Sequence, residues 1–326
     1  MHKNKNNGHT EVSIFFPETV AKIRSCLIRA KRRIVTRKTI PYLLYFPAFI
    51  ATVGILYPFG RSVVLSFYEY NPTYGPAYFI GVQNYIDIFQ GATSPSFWLS
   101  LRVTLVYAFA NISIQLILGL GIALLLVRTF AGYRIVRAVV LFPFMIPPII
   151  EAMMWKLMYE PVTGIINYIG SFLGMPRIGW LGDAAWALPS VIVIDVHNFT
   201  PFVAIILLAG LQSLPKRPFE AAQVDGASSW FILKNLTFPL LKPVLYVVLL
   251  FRLIESLIMF DMIYAATHGG PANATMSIHV NAYYHGMRWT MFGTSFAFLV
   301  VLWAMVFVSS FFIIRAWRKA LEARMV

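Results

Sequence analysis

The stretch FEAAQVDGASSWFILKNLTFPLLKP, residues 219–243, decides how this chain is read. It lies between two long apolar runs, yet it carries a pattern of its own. Pro215 and Pro218 favour a helix start near Phe219, because proline is pre-set for the first helical turn. Glu220 then falls near the positive end of that helix, where a carboxylate is favoured. Ala221 and Ala222 keep the profile slender, and Gly226 supplies the tight or left-handed turn that ends the segment. A second helix through Trp230, Leu233 and Leu236 presents an apolar stripe that Pro239 is expected to close. The pattern predicts a helix–turn–helix plug for a partner protein. A loop packed only on its own neighbours is the alternative.

Composition sets the surroundings of this stretch. Hydrophobic residues make up 59% of the 326 and charged residues 12%, with a mean hydropathy of +0.70. Soluble domains carry about 25% charged residues, so the chain reads as a membrane protein. A helix needs about 20 apolar residues to cross a bilayer. Three charge-free runs qualify, at 39–60, 103–127 and 289–314. Three more contain ionisable groups: 135–158 with Glu151 and Lys156, 186–214 with Asp195 and His197, and 243–267 with Arg252, Glu255 and Asp261. The expected fold is therefore all-α with six transmembrane helices.

Lys and Arg set the orientation. Ten lie in the tail 1–39, three in 128–137, four in the loop 212–242 and four from Arg315 onward, whereas the alternate connections hold only Arg177 and Arg288. Both termini and the quoted stretch are thus expected on the cytoplasmic side, bounding a six-helix membrane domain over 40–316 with tails at 1–39 and 317–326. The net charge of +14 is then a topology signal and not a nucleic-acid footprint. The amphipathic part of the tail, 14–33, suits anionic lipid or a solvated basic arm equally. No cleavable leader is evident, since the basic stretch is longer than a signal n-region. The single cysteine, Cys26, offers no internal disulfide.

A charge at mid-bilayer costs at least ~2.5 kcal/mol, so the ionisable residues are expected to face a cavity or the bundle interior. The three clean spans are then expected nearer lipid. Arg252, Glu255, Ser256 and Met259 fall at i, i+3, i+4 and i+7 on one helical face. Asp195, Asn198, Phe199 and Phe202 make a second such face. Aromatic rings beside hydrogen-bonding groups suit the two sides of a sugar ring; the alternatives are an Arg252–Glu255 pair that satisfies itself and ordinary helix packing with a satisfied Asp195. Pro201 is expected to kink its span and free a carbonyl, as in the broken helices of transport sites. On this reading Arg252→Ala or Phe199→Ala lowers uptake without preventing assembly. The sequence holds no phosphate-cradling G-x-x-x-x-G-K-[ST], no G-x-S-x-G and no H-E-x-x-H, and His279 and His285 lack metal-pair spacing.

The quoted stretch resembles the E-A-A-x-x-x-G-x(9)-I-x-L-P signature of permease subunits in binding-protein-dependent ABC importers. Glu220, Ala221, Ala222, Gly226 and Pro239 match it, with Leu236 and Phe238 in the apolar places before the proline. Asp225, Ala227 and Trp230 fit the fuller form seen in sugar permeases, as does LAGLQSLP at 208–215. A second patch, FDMIYAATHGGP at 260–271, is similar to F-D-x-I-Y-x-x-T-x-G-G-P of the MalF/UgpA-like carbohydrate permeases, with His268 where glycine is commoner. The resemblance implies a permease subunit in a prokaryotic cytoplasmic membrane, not itself an enzyme and without a cofactor. Residues 219–243 would be its coupling element, seated on a dimer of cytoplasmic ATPases that bind the ATP and Mg. A second permease subunit, usually a different one, and an extracytoplasmic solute-binding protein would complete the assembly. A self-sufficient secondary transporter driven through Asp195, Glu255 or Asp261 is the reading from another class, though no inverted repeat supports it.

Overall fold

A computed structural model describes residues 40–128 and 130–325, so the basic tail and its amphipathic stretch lie outside the described residues. The chain divides into two compact units at Arg61 and Ser62. The first helix, α1 (Ile40–Leu65), exposes aromatic side chains such as Tyr42, Tyr45, Phe46 and Phe49, as a lipid-bathed segment requires.

In the second unit a short antiparallel pair, β1 (Tyr68–Glu69) and β2 (Tyr78–Phe79), precedes a small helix, α2 (Gln83–Phe89). Buried Asn84 of α2 holds this cap together by donating to the Ser66 and Tyr68 carbonyls at 2.8 and 2.9 Å. Then comes a long helix, α3 (Ser94–Leu126), followed by α4 (Tyr133–Leu141), a tight turn at Phe142–Met145, and α5 (Pro148–Met158). After α6 (Ile165–Phe172) the chain enters α7 (Ala184–Gln212), the most buried of the long apolar helices. Asn167 of α6 organises the approach to α7. It donates to the Ile178 carbonyl at 2.9 Å and accepts from Ile178 N and from the Trp180 indole.

Five described helices are long and apolar enough to cross a bilayer, and the count reaches six only if α4 and α5 together make one span. The expected straight span 135–158 is instead bent by 95°. Pro143, Pro147 and Pro148 explain the bend. They remove backbone donors in succession, and Ile146, which precedes a proline, takes the extended conformation that position favours. By contrast α7 runs unbroken through Pro189 and Pro201, so the break expected of span four belongs to span three.

The quoted stretch folds as two helical segments. The first is α8 (Arg217–Val224), and its end is a two-bond glycine cap. Gly226 N–H reaches the Gln223 carbonyl, Ala227 N–H reaches Ala222, and Gly226 has φ +74°. Ser228 then caps α9 (Ser229–Ile232) through the Phe231 amide. Pro239 does not close this helix. A wide turn over Leu233–Thr237 leads directly into α10 (Phe238–Leu257), and one apolar helix runs from Ser229 to Leu257. The wider hydrogen-bond spacing there absorbs the proline's missing donor.

Two shorter helices, α11 (Asp261–Thr267) and α12 (Ile278–Tyr283), precede α13 (Phe292–Met325), which continues past residue 314 as helix. The expected span 243–267 is therefore interrupted at residues 258–260, and Asp261 starts a new helix instead of lining the old one. His268 ends α11 in the left-handed conformation at φ 54°, which is the physical reason glycine is favoured at that place.

Interior contacts between helices rest on small residues as well as apolar ones. A Cβ at Gly119 of α3 would lie 2.5 Å from Val203 Cγ1 of α7, whereas one at Gly121 would meet nothing within 4 Å. Gly119→Ala is expected to lower stability by about 1–3 kcal/mol through overpacking, and Gly121→Ala to leave it nearly unchanged. Thermal melting of the two variants in detergent checks the difference.

Candidate functional site

The two predicted polar faces meet inside the chain. The Arg252 guanidinium on α10 and the Asp195 carboxylate on α7 form an ion pair at 2.8 Å, with both side chains 0% exposed. Arg252 also donates from Nε to Gln115 Oε1 at 2.8 Å, from Nη1 to Glu255 Oε2 at 2.7 Å, and from Nη2 to Ser256 Oγ at 3.3 Å. Asp195 accepts from the Tyr107 hydroxyl and from Gln115 Nε2, each at 2.6 Å. The Ser256 hydroxyl in turn donates to Asn111 Oδ1 at 2.9 Å. The Phe199 ring lies under the guanidinium, 4.1 Å from its carbon, and adds a cation–π contact.

Tyr107, Asn111 and Gln115 come from α3, a helix expected to face lipid because it carries no charge over 103–127. That expectation is corrected. Their i, i+4, i+8 spacing on one face was the available signal, and charge was the wrong criterion for it. Neutral hydrogen-bonding groups are what a buried ion pair needs around it.

The remaining predicted residues divide. Glu255 keeps its carboxylate 39% exposed beside the sealed pair. Asn198 is committed to the bend between α4 and α5, donating to the Pro143 and Ile146 carbonyls at 3.1 Å each. Phe202 stacks on Phe144 at 5.2 Å and meets Phe251 edge-on at 6.2 Å. Met259 is buried, but it lies past the end of α10, so its i+7 relation to Arg252 does not hold. The network thus ties α3, α7 and α10 together, and its outlet is Glu255. Both the self-satisfying Arg252–Glu255 pair and a satisfied Asp195 are present in the geometry.

The elbow formed by α8 and α9 is a second candidate site. Glu220, Ala221, Asp225 and Gly226 are exposed, while Ala222 and Ala227 are half-buried. Val224, Trp230 and Phe231 are 88%, 70% and 53% exposed, so this apolar surface is not packed on its own chain. Pro239 is exposed on the same continuous helix.

Removing one partner of a buried ion pair leaves the other charge uncompensated and costs about 3–5 kcal/mol. Arg252→Ala is accordingly expected to destabilise the chain as well as to lower uptake. Arg252→Met combined with Asp195→Asn is expected to recover most of the loss. Melting temperatures of the single and double variants in detergent measure this coupling.

Residues 115–326 match the family model described as binding-protein-dependent transport system inner membrane component. The trehalose/maltose transport system permease protein MalF of Thermococcus litoralis is 40% identical over 244 residues, covering 74% of this chain and 81% of the relative. The trehalose transport system permease protein SugA of Mycobacterium tuberculosis is 32% identical, covering 88% and 91%. The sulfoquinovosyl glycerol transport system permease protein SmoG of Agrobacterium fabrum is also 32% identical, covering 81% and 85%. Among solved structures, a bacterial ABC transporter that imports the acidic polysaccharide alginate shares the fold. Its TM-score is 0.75 at 23% identity, with 89% of this chain and 99% of that one covered. The bent span, the exposed elbow with its glycine cap and the family match lead to one conclusion: the chain belongs to the inner membrane components of binding-protein-dependent transport systems, as a multi-pass ABC permease subunit that is a non-catalytic part of the transporter and carries no cofactor.

Proposed function

We propose that this chain forms half of an alternating-access pathway for a neutral sugar or polyol and is driven through its α8–α9 elbow by a partner ATPase. Carbohydrate is the solute class named for the MalF, SugA and SmoG relatives, and this supports the same class here. The observation that carries the coupling role is the elbow's exposed apolar surface on a helix that continues without a break to Leu257. Glu220, Ala221, Ala222, Asp225, Gly226 and Ala227 form the seat, and Pro239 lies where the elbow passes into the span. In this arrangement both termini and the elbow face the cytoplasm, following the basic residues. The domain limits keep their sequence-based form, with tails at 1–39 and 317–326 and the permease domain at 40–316.

The assembly would contain a second permease subunit, two cytoplasmic ATPases holding ATP and Mg, and an extracytoplasmic solute-binding protein. Coupling between ATP and solute sites requires an element with two states that both sites bias. The Ser229–Leu257 helix, gripped at one end by the ATPases and at the other by the ion pair, is that element. For the solute we propose Glu255 as the group of this network that meets it. Asp195, Asn198, Phe199, Phe202, Arg252, Ser256 and Met259 shape and hold the surrounding wall. A self-sufficient secondary transporter is set aside, because Asp195 is locked to Arg252 and the chain belongs to a family of multisubunit importers.

Proline cannot adopt the φ of +74° found at Gly226, so Gly226→Pro breaks the cap between α8 and α9. Purification from native membranes in mild detergent is expected to bring down an ATPase with the wild type and to lose it with this variant, at unchanged yield of the permease. A wild type that purifies alone and still transports after reconstitution contradicts the coupling role.

A further inference from the structure

The 95° bend between α4 and α5 opens a cavity of about 660 Å³ that the ion-pair network does not use. Phe142, Ile146, Met154 and Met158 make most of its wall, and Glu151, Trp155 and His197 supply the hydrogen-bonding groups. Glu151 sits in the first turn of α5, where the helix dipole favours a carboxylate, and the residue is 1% exposed. Its Oε1 accepts from the Trp155 indole at 2.7 Å and from His197 Nδ1 at 2.6 Å. Its Oε2 has no protein donor among the described residues. A buried carboxylate with an unfilled oxygen on a cavity takes its remaining hydrogen bonds from what the cavity contains.

His197 has the complementary arrangement. Nδ1 points at Glu151, the ring is half exposed on the cavity, and Nε2 has no protein partner among the described residues. Trp155 is pinned by its own N–H, so the indole plane is fixed. Its ring is flanked by Tyr159 at 5.2 Å and by His197 at 5.4 Å edge-on. A fixed aromatic face, an open carboxylate oxygen and an open imidazole nitrogen are the recognition elements for one pyranose ring. C–H groups lie on the indole while two hydroxyls bond to the polar atoms. The volume falls in the range of small-molecule sites, roughly 300–1,000 Å³.

We propose that Glu151, Trp155 and His197 form a sugar-ring subsite selective for neutral over acidic carbohydrates, one step of the pathway away from the Arg252–Asp195 network. The sign of the selectivity follows from Glu151: a buried carboxylate repels a uronic acid or sulfonated sugar brought against it in an apolar cavity. Among the described residues the walls carry no Lys or Arg to offset that charge, and His197 Nδ1 is already hydrogen-bonded to the carboxylate. This subsite rests on the sugar-importer reading above and deepens it.

The test uses the full complex, with its partner permease, ATPases and binding protein, in liposomes. The probes are radiolabelled trehalose, maltose and a uronic-acid disaccharide. Trp155→Phe and Glu151→Gln are each expected to cut neutral-sugar import about tenfold, the loss of one good hydrogen bond or stacking contact. Each change also removes a hydrogen bond within the buried trio, so import is read well below both melting transitions, where complex yield should match the wild type. Glu151→Gln should also narrow the preference for neutral over acidic disaccharide. Met154→Trp leaves Glu151, Trp155 and His197 in the sequence, fills much of the cavity and should block import. Wild-type import rates in Met154→Trp and Trp155→Phe overturn the subsite. So does a loss of import that merely follows a loss of melting temperature, since that marks the trio as a structural pin between α5 and α7. A wild-type complex that imports no neutral sugar sinks the parent reading, and the subsite with it.

Discussion

The buried pair of Arg252 and Asp195 is the interaction on which the rest of the bundle depends. Lipid cannot solvate a guanidinium, so Arg252 depends on acceptors within the protein. Gln115, Glu255, Asp195 and Ser256 accept from four of its five N–H groups, and each of those side chains in turn constrains a helix. Because apolar side chains gain little by leaving lipid for a helix interface, such polar ties and the close approach at Gly119 specify how α3, α7 and α10 pack. A low-dielectric interior makes the tie strong when complete and costly when one member is missing.

The same helix that carries Arg252 begins in the elbow. From Ser229 to Leu257 there is no break, only a wide turn at Leu233–Thr237 that lets Pro239 and Pro243 pass without stopping the helix. A push on Trp230 is therefore a push on the ion pair, whereas a loop in that place would absorb it. The cavity at the bend lies on the neighbouring elements α4, α5 and α7, and Asn198 fastens the bend to α7 one residue from His197. Motion of α7 relative to α10 would then alter both polar sites together.

Much of this was legible in the sequence where local chemistry determines local structure. The glycine turn, the start of α8, the apolar spans and the two polar faces on α7 and α10 follow from periodicity and caps. The failures share one cause, which is that a hydropathy window does not register where backbone donors go missing. Three prolines over 143–148 bend a span that reads as continuous, while Pro201 and Pro239 sit in helices that absorb them. Tyr107, Asn111 and Gln115 escaped attention because a charge-free helix looks lipid-facing. The partner of Gln115, Arg252, is 137 residues away in sequence. The division between sealed Asp195 and exposed Glu255 is likewise a tertiary fact with no local signature.

The central claim is that elbow and ion pair ride on one rigid helix. Spin labels at Trp230→Cys and Phe251→Cys, both exposed positions, with Cys26 replaced, should lie about 31 Å apart along a continuous helix. Pulsed dipolar spectroscopy on the assembled transporter should find that distance unchanged between nucleotide-free and ATP-bound states. The distance from Phe251→Cys to a label at Val193→Cys on α7 should change between those states. A shift of several ångströms within the 230–251 pair, with the 193–251 pair fixed, would contradict the account.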